Sequence, residues 1–175
     1  MITAALPEPV QVTLLFGPIG AGKSTVAGAI AERTDAIVLA SDVFFAELFL
    51  ADMPQPPDMA WVLERVERCE ARIRELTLQC VAVGTPVVLD VGLAVRAARD
   101  AFARWCQEEG LEHRFVFVTA PKAVRATRVE GRNARAAETG DLPVAPAIFE
   151  MTDARFEQPD GAELDALGAH VIENV

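Results

Sequence analysis

A glycine-rich segment near the start of the chain, Gly17–Ser24, reads GPIGAGKS and matches the pattern G-x-x-x-x-G-K-[ST] in full. The apolar run before it, Val10–Phe16, predicts a buried strand, and the alanine-rich stretch Lys23–Arg33 predicts a helix. Glycine accepts backbone angles that turn several N–H groups inward, and the first turn of a helix adds a positive dipole end. The order of strand, glycine-rich turn and helix therefore predicts a phosphate-binding loop in an α/β protein.

Each part of this loop has a chemical role to play. Its N–H groups can surround phosphate oxygens, Lys23 can bring a positive charge to the β- and γ-phosphates, and the Ser24 hydroxyl is a ligand for Mg²⁺. The alternative is a glycine-rich turn without a ligand, but the flanking strand and helix favour nucleotide binding. The residues expected to contact the nucleotide are Gly17, Gly20, Ala21, Gly22, Lys23, Ser24 and Thr25.

The rest of the chain alternates between strand and helix patterns. Apolar runs predict further strands at Ala36–Ala40, Pro86–Val91, Arg114–Val118 and His170–Glu173. Helical patterns occupy Asp42–Leu50, Met59–Val83, Val95–Glu109, Lys122–Glu130, where a further helix begins, and Ala147–Phe156. Such alternation is typical of an α/β fold whose parallel sheet is covered by helices on both faces. No segment indicates a second domain, so residues 1–175 are predicted to form one domain.

Asp42 directly follows the second predicted strand. The carboxyl ends of parallel strands line the ligand crevice of such sheets. A carboxylate there can accept the proton of a hydroxyl that attacks the γ-phosphate. The alternative role is a helix N-cap, which Asp also favours, although Ser41 could cap the helix instead. Beside a phosphate-binding loop, we favour Asp42 as a general base.

Asp90 ends the third predicted strand, directly after the apolar residues VVL. An acidic residue at the end of a strand beside a phosphate-binding loop commonly holds Mg²⁺, either directly or through water. A turn residue at the end of a strand is the alternative. We favour Asp90, together with Ser24, as a metal ligand.

Arginines recur at helical spacing after the fourth predicted strand, at Arg125, Arg128 and Arg132. Guanidinium groups on one helix face could stabilise the charge that spreads over a transferred phosphoryl group. The alternative is an exposed basic face, and we favour a catalytic role for Arg128 and Arg132 over Arg125. The small, proline-containing segment Gly131–Pro146 is predicted to be a mobile lid that excludes water.

Composition narrows the partners and the compartment. The formal charge is −10, with 26 acidic against 16 basic residues, which disfavours a nucleic-acid partner. The three cysteines fit neither a zinc site nor a closed disulfide framework, so thiols in a reducing compartment are expected. Met1–Val10 lacks the features of a signal peptide, and no apolar run is long enough to span a membrane. A cytoplasmic protein is therefore expected.

Aromatic and apolar side chains gather around a proline-rich loop, Ala51–Asp58. At helical spacing such residues more often pack in a core than line a pocket. A wall for an organic acceptor, close to Asp42, is the alternative interpretation. The residues concerned are Phe44, Phe45, Phe49, Met53 and Trp61.

Taken together, these segments resemble small P-loop kinases of the AAA-type ATP-binding kind, which are related to polynucleotide kinase, zeta toxin, gluconate kinase and chloramphenicol phosphotransferase. The resemblance runs from Val10 to about Asp160. It rests on GPIGAGKST, LASD (39–42), VVLDVGL (87–93), FVTAP (117–121), RVEGRN (128–133) and RFEQPD (155–160).

The resemblance implies a P-loop NTPase three-layer sandwich, with a five-stranded parallel sheet in the order 2-3-1-4-5 and a lid after the fourth strand. It also implies that Lys23 and Ser24 bind ATP and Mg²⁺, that Asp42 is the base, and that Arg128 and Arg132 are the lid arginines, Arg128 also contacting the nucleotide. Members similar to polynucleotide kinase often carry an arginine three residues after the catalytic aspartate, where this chain has Phe45. That departure disfavours a polynucleotide acceptor.

Three functions remain in competition. The favoured one is an ATP- and Mg²⁺-dependent phosphotransferase that moves the γ-phosphate to a hydroxyl of a small molecule. The second is a kinase for a nucleic-acid 5′-hydroxyl or a tRNA. The third is an NTPase or nucleotide-binding switch that has no acceptor.

Overall fold

The structure, a computed structural model, describes residues 6–139 and 143–174. Its strands are β1 (Val12–Phe16), β2 (Ile37–Ala40), β3 (Val87–Asp90), β4 (His113–Thr119) and β5 (His170–Glu173). They form one parallel sheet in the order β2-β3-β1-β4-β5. The α/β class predicted from the sequence pattern and the strand order implied by the resemblance are both confirmed. β1 lies at the centre, where its apolar residues are buried on both faces.

The helices are α1 (Lys23–Thr34), α2 (Ser41–Phe49), α3 (Met59–Ala82), α4 (Arg96–Glu108), α5 (Lys122–Thr139), α6 (Pro146–Arg155) and α7 (Gly161–Leu167). A 3₁₀ turn, Leu50–Asp52, follows α2. In the described part of the chain, no helix has the length and apolar character that crossing a bilayer requires.

Two apolar layers flank the sheet because successive strand residues point to opposite faces. Leu14 and Phe16 pack with residues of α3, α4 and α7 on one face. Leu15, between them, packs with Val26 and other residues of α1 on the opposite face. Helices therefore cover both faces, as in the three-layer sandwich that the resemblance implied.

Helix α7 was not predicted, although its boundaries have local signals. The Asp160 side chain caps the helix by accepting a hydrogen bond from the Glu163 amide. Gly168 ends the helix in the left-handed conformation, with φ 55°. An Asp three residues before a Glu is a helix-start pattern, but the helix is too short for apolar periodicity to show.

Helix α5 runs further than the sequence indicated, because it continues through Gly131 to Thr139. Much of the segment predicted as a lid (131–146) is therefore helical, and residues 140–142 lie outside the described part of the chain. The Asn133 side chain exchanges two hydrogen bonds with the Val144 backbone, at 2.7 and 2.8 Å. This pair ties α5 to the residues that lead into α6.

A buried arginine, Arg99 of α4, links several segments on the α4 side of the sheet. Its side chain has no solvent exposure, and its Nε donates to Glu163 Oε1 at 2.6 Å. The rest of the guanidinium donates to the carbonyls of Leu93, Ala94 and Glu157 at 3.0–3.2 Å. All three nitrogens of the guanidinium thus donate, and these bonds allow a charged group to remain stable in the core.

We predict that Glu163→Ala destabilises the protein by about 3 kcal/mol or more, because it leaves the Arg99 charge buried and without its carboxylate. Urea unfolding measures this loss. Glu64→Ala is the matched control, because Glu64 pairs with Arg65 and Arg68 on the exposed face of α3 and should contribute little. Equal losses in the two variants would contradict the role given to Arg99.

Candidate active site

A cleft of about 880 Å³ opens at the carboxyl ends of the strands. Its walls are the loop after β1, the residues that follow β2 and β3, one face of α5 and the end of α6. Asp42, Asp90 and the predicted phosphate-binding residues other than Ala21 line this cleft together with Arg128 and Arg132. The structure therefore brings the residues predicted from separate sequence segments to one place.

The glycines of the loop are required by close contacts with other segments. Gly17 has φ 147°, and a Cβ there would lie 2.0 Å from the Val118 carbonyl oxygen of β4. Gly22 has φ 97°, and a Cβ there would lie 2.3 Å from the Asn174 amide nitrogen. Both positions need the conformations that glycine alone adopts at no steric cost, so the loop can lie close to β4 and β5.

Lys23 and Ala21 occupy different positions within the loop. Lys23 begins α1, and its ammonium donates to the Gly17 carbonyl at 3.1 Å. This hydrogen bond positions the positive charge over the loop. Ala21 is buried, and its amide donates to the Pro18 carbonyl at 3.2 Å. The predicted contact of Ala21 with the nucleotide stays a prediction, since this amide is already engaged within the loop.

Ser24 and Asp90 form the oxygen pair predicted for a metal. The Ser24 hydroxyl, in the first turn of α1, donates to Asp90 Oδ2 at the end of β3 at 3.3 Å. In the described residues, no group of three or more Asp, Glu, His or Cys side chains could hold a metal ion. Mg²⁺ suits such a sparse pair because it draws most of its ligands from water and phosphate oxygens.

The protein environment raises the pKa of the Asp90 carboxyl from its ordinary value of 3.8. Burial is the largest cause, and the nearby Asp42 carboxylate adds to it. The Lys23 ammonium and the hydrogen bond from Ser24 act in the opposite direction. A cation bound beside Asp90 would relieve this cost, so the residues present fit the predicted metal.

We predict that Asp90→Asn stabilises the ligand-free protein at neutral pH but weakens its affinity for Mg²⁺ and ATP. The folded chain holds the Asp90 proton more tightly than the unfolded chain, so wild-type stability falls as pH rises from about 3.8 through the raised pKa. The Asp90→Asn variant has no ionisable group at this position, so its stability should not fall in this way. Urea unfolding of both proteins across an acid-to-neutral pH series should show a difference that grows with pH, and a constant difference would contradict the prediction.

Asp42 lies in the first turn of α2, in the residue after Ser41. Neither residue is the N-cap, contrary to the capping expectation, because Ala40 occupies that position and makes no side-chain cap. Asp42 Oδ1 instead accepts a hydrogen bond from the adjacent Val43 amide at 2.9 Å. The side chain is exposed toward the cleft, where it lies near enough to Asp90 to influence its pKa.

The arginines of α5 divide into two kinds. Arg128 donates to the carbonyls of Asn174 and Ala21 at 3.1 and 3.4 Å, so its guanidinium lies against the phosphate-binding loop. Arg132 and Arg135 line the cleft further along the same helix. Arg135 was not singled out in the sequence, although its spacing from Arg132 continues the pattern.

Arg125 is buried and has a structural position outside the cleft. Its guanidinium donates to the carbonyls of Ala120 and Ile19 at 3.0 and 3.2 Å and to Asp153 at 2.7 Å. It therefore joins α5, α6 and the phosphate-binding loop. This agrees with the preference for Arg128 and Arg132 as catalytic candidates.

Besides Arg135, the sequence analysis missed two residues at the site. The Asn174 side chain, after β5, donates to the Ala21 carbonyl at 2.9 Å and also faces Arg128. Phe156, after α6, lines the cleft. Both come from distant segments and lack a motif of their own, although Phe156 lies within the RFEQPD segment that contributed to the resemblance.

The aromatic cluster near the proline-rich loop lies elsewhere. Phe45 packs against Phe49 and Trp61, with ring centroids 6.2 and 6.3 Å away. Phe44 packs against the core on the α4 side. None of these rings is among the described residues that line the cleft. The packing interpretation agrees with this arrangement.

The complete phosphate-binding loop and the sheet order define the fold of the P-loop kinases. Residues 12–159 match the profile of the family described as the AAA domain, and the chain belongs to that family. A search of curated proteins finds no match.

Solved structures with this fold include several kinases. A sugar kinase from Janibacter sp. HTCC2649 is 18% identical, covering 94% of this chain and 86% of that one, with a TM-score of 0.63. The APS kinase of Mycobacterium tuberculosis, solved in complex with AMPPNP and APS, is 18% identical, with coverage of 95% and 90% and a TM-score of 0.62. A gluconokinase from Sinorhizobium meliloti 1021 is 21% identical, with coverage of 93% and 81% and a TM-score of 0.62.

Proposed function

We propose that this protein is an ATP- and Mg²⁺-dependent phosphotransferase that moves the γ-phosphoryl group to a hydroxyl of a small molecule in the cytoplasm. The observation that carries the proposal is the convergence of Lys23, Ser24, Asp90 and Asp42 on one cleft. A bare nucleotide switch has no need of a further carboxylate placed beside the metal-binding oxygens. Transfer to a hydroxyl needs such a group as its proton acceptor.

The roles follow from the positions of these groups. Lys23 and the loop amides would bind the β- and γ-phosphates, and Ser24 and Asp90 would hold Mg²⁺, which supplies neutralising charge. Asp42 takes the proton of the acceptor hydroxyl as that oxygen bonds to the γ-phosphorus. The bond to the β–γ bridging oxygen breaks and ADP leaves, while Arg128 and Arg132 stabilise the charge on the transferred group.

Similar solved structures, the net charge and the residue at position 45 support a small acceptor. The solved relatives include a sugar kinase, an APS kinase and a gluconokinase. The net charge of −10 and the phenylalanine at position 45 both disfavour a nucleic-acid acceptor. Free thiols at Cys69, Cys80 and Cys106 are consistent with the cytoplasm.

We propose that residues 131–146 act as the lid of a single domain and exclude water during transfer.

The test is ADP formation by the purified chain with ATP and Mg²⁺, combined with mass-spectrometric detection of phosphorylated product. The panel contains sugars, polyols, nucleosides, amino-alcohol antibiotics and an oligonucleotide with a free 5′-hydroxyl. A small molecule that raises turnover and gains a phosphoryl group supports the proposal. Phosphorylation of the oligonucleotide alone would favour the nucleic-acid kinase, and rapid ATP hydrolysis unaffected by every compound would favour the NTPase.

A further inference from the structure

Phe156, the first residue after α6, forms part of one wall of the cleft. Phe156 is half-buried, and its ring stacks on Phe117 of β4 with a centroid distance of 6.2 Å and an interplanar angle of 6°. The Arg99 guanidinium lies 5.9 Å from the same ring. One part of the ring is thus held by the core, while the remainder faces the cleft.

Phe156 and helix α1 pack on opposite faces of the sheet. Phe156 packs with the apolar layer that contains residues of α3 and α4. Helix α1, whose first residues follow the phosphate-binding loop, packs on the opposite face of the sheet. A nucleotide bound by that loop would therefore not fill the part of the cleft beside Phe156 and the residues after β3. The acceptor can bind in that part.

Hydrogen bonds join Phe156 to the loop after β3. The Glu157 amide donates to the Ala94 carbonyl at 2.9 Å, and Glu157 Oε2 accepts from the Arg96 amide at 2.7 Å. Arg99 donates to carbonyls on both segments. Because Leu93 and Ala94 also line the cleft, Phe156 and this loop form one continuous wall of the cleft.

The chemistry of this wall is apolar. Its side chains in the cleft are those of Val91, Leu93, Ala94 and Phe156, beside the glycine at position 92. Among the described residues that line the cleft, every basic side chain belongs to the phosphate-binding loop or to α5. The charged groups after β2 and β3 are the carboxylates of Asp42 and Asp90. An anionic group on the acceptor would find no cation on this wall to pair with. It would also be repelled by the two nearby carboxylates.

We infer that Phe156 is a specificity-determining residue for an acceptor that carries no anionic group and presents a hydrocarbon face beside its reactive hydroxyl. The hydrocarbon face packs on the exposed part of the Phe156 ring. Glu157 is a positioning residue, since it holds this ring segment against the loop after β3. The inference rests on the proposed function and names the class of its acceptor.

The experiment measures phosphoryl transfer by the full chain to matched probes: phenyl glucoside, phenyl glucuronide, glucose, and aryl amino-diols with and without an added carboxylate. Wild type should favour the uncharged or amine-bearing aryl compounds. Phe156→Ala should raise the KM for these compounds about 10-fold or more, with the KM for ATP unchanged. Phe156→Leu, which keeps a hydrocarbon surface, should restore most of the loss and also guards against a folding defect.

Three further variants test the positioning role of Glu157 and the specificity of the effect. Glu157→Ala should raise the KM for the acceptor, and Glu157→Gln should rescue it because an amide oxygen can still accept from Arg96. Met151→Ala is the matched apolar control from α6, since its side chain is 48% exposed and lies outside the cleft, and it should leave the KM for the acceptor unchanged.

Preference for a carboxylate or for glucose would overturn the inference and leave the kinase proposal standing. A KM for the acceptor that changes in Met151→Ala rather than in Phe156→Ala would also overturn the inference. Failure of every compound here and in the wider panel to accept phosphate, while ATP is still bound, would overturn the proposed function itself.

Discussion

Lys23→Ala is expected to lower kcat/KM for ATP by about 10³-fold, the scale on which a single preorganised charge or donor acts in phosphoryl transfer. The ammonium spans the phosphate-binding loop to the Gly17 carbonyl and is the one lysine among the described residues that line the cleft. An alanine removes the charge without altering the glycines that shape the loop. We therefore expect the fold to persist, with both ATP affinity and turnover reduced.

The chain supplies its own control for this substitution. Lys122 is an exposed lysine at the start of α5, where it pairs with Glu150 and Asp153 away from the cleft. Lys122→Ala should leave the kinetics for ATP almost unchanged. Calorimetric titration with ATP and Mg²⁺, together with steady-state kinetics, distinguishes the two variants. Normal ATP affinity in Lys23→Ala would show that the loop does not bind a triphosphate in the expected way.

The central sheet and the phosphate-binding loop could be predicted because their signals are local. A buried parallel strand has a short apolar run as its sequence pattern, and the loop needs its glycines within a few residues of Lys23. The strand order needed the additional resemblance to known kinases, since alternation alone leaves several orders open. Asp42 and Asp90 could be placed near the loop because one follows a predicted strand and the other ends one, and carboxyl ends of parallel strands line the ligand crevice.

The remaining features depend on contacts between distant segments. The Arg99–Glu163 pair spans 64 residues, and Asn174 lies 153 residues after the carbonyl that it contacts. Neither residue type in isolation indicates burial or a partner, because arginine and asparagine are mostly exposed. Phe156 resembles any other apolar residue next to a helix. Its place in the cleft is fixed by stacking on Phe117 and by the hydrogen bonds of its neighbour.

Asp42→Asn is expected to lower phosphoryl transfer about 10²- to 10⁴-fold while ATP affinity stays nearly unchanged. The amide keeps the size of the side chain and an oxygen that can accept from the Val43 amide, as Asp42 does at 2.9 Å. It cannot take the proton of an attacking hydroxyl. Because Ala40 rather than Asp42 is the N-cap of α2, loss of helix capping should not disturb the comparison.

The matched control is Glu47→Gln, which makes the same carboxylate-to-amide change at an exposed position on the same helix. It should leave transfer unaffected. Each variant is assayed for ATP binding, for hydrolysis without acceptor and for transfer to the best acceptor of the panel.

Substitutions of the two cleft carboxylates should have different kinetic effects. Asp90→Asn raises the Mg²⁺ concentration needed for turnover, whereas Asp42→Asn lowers the maximal rate at any Mg²⁺ concentration. Unchanged transfer in Asp42→Asn would instead mean that another group, or the phosphate itself, accepts the proton.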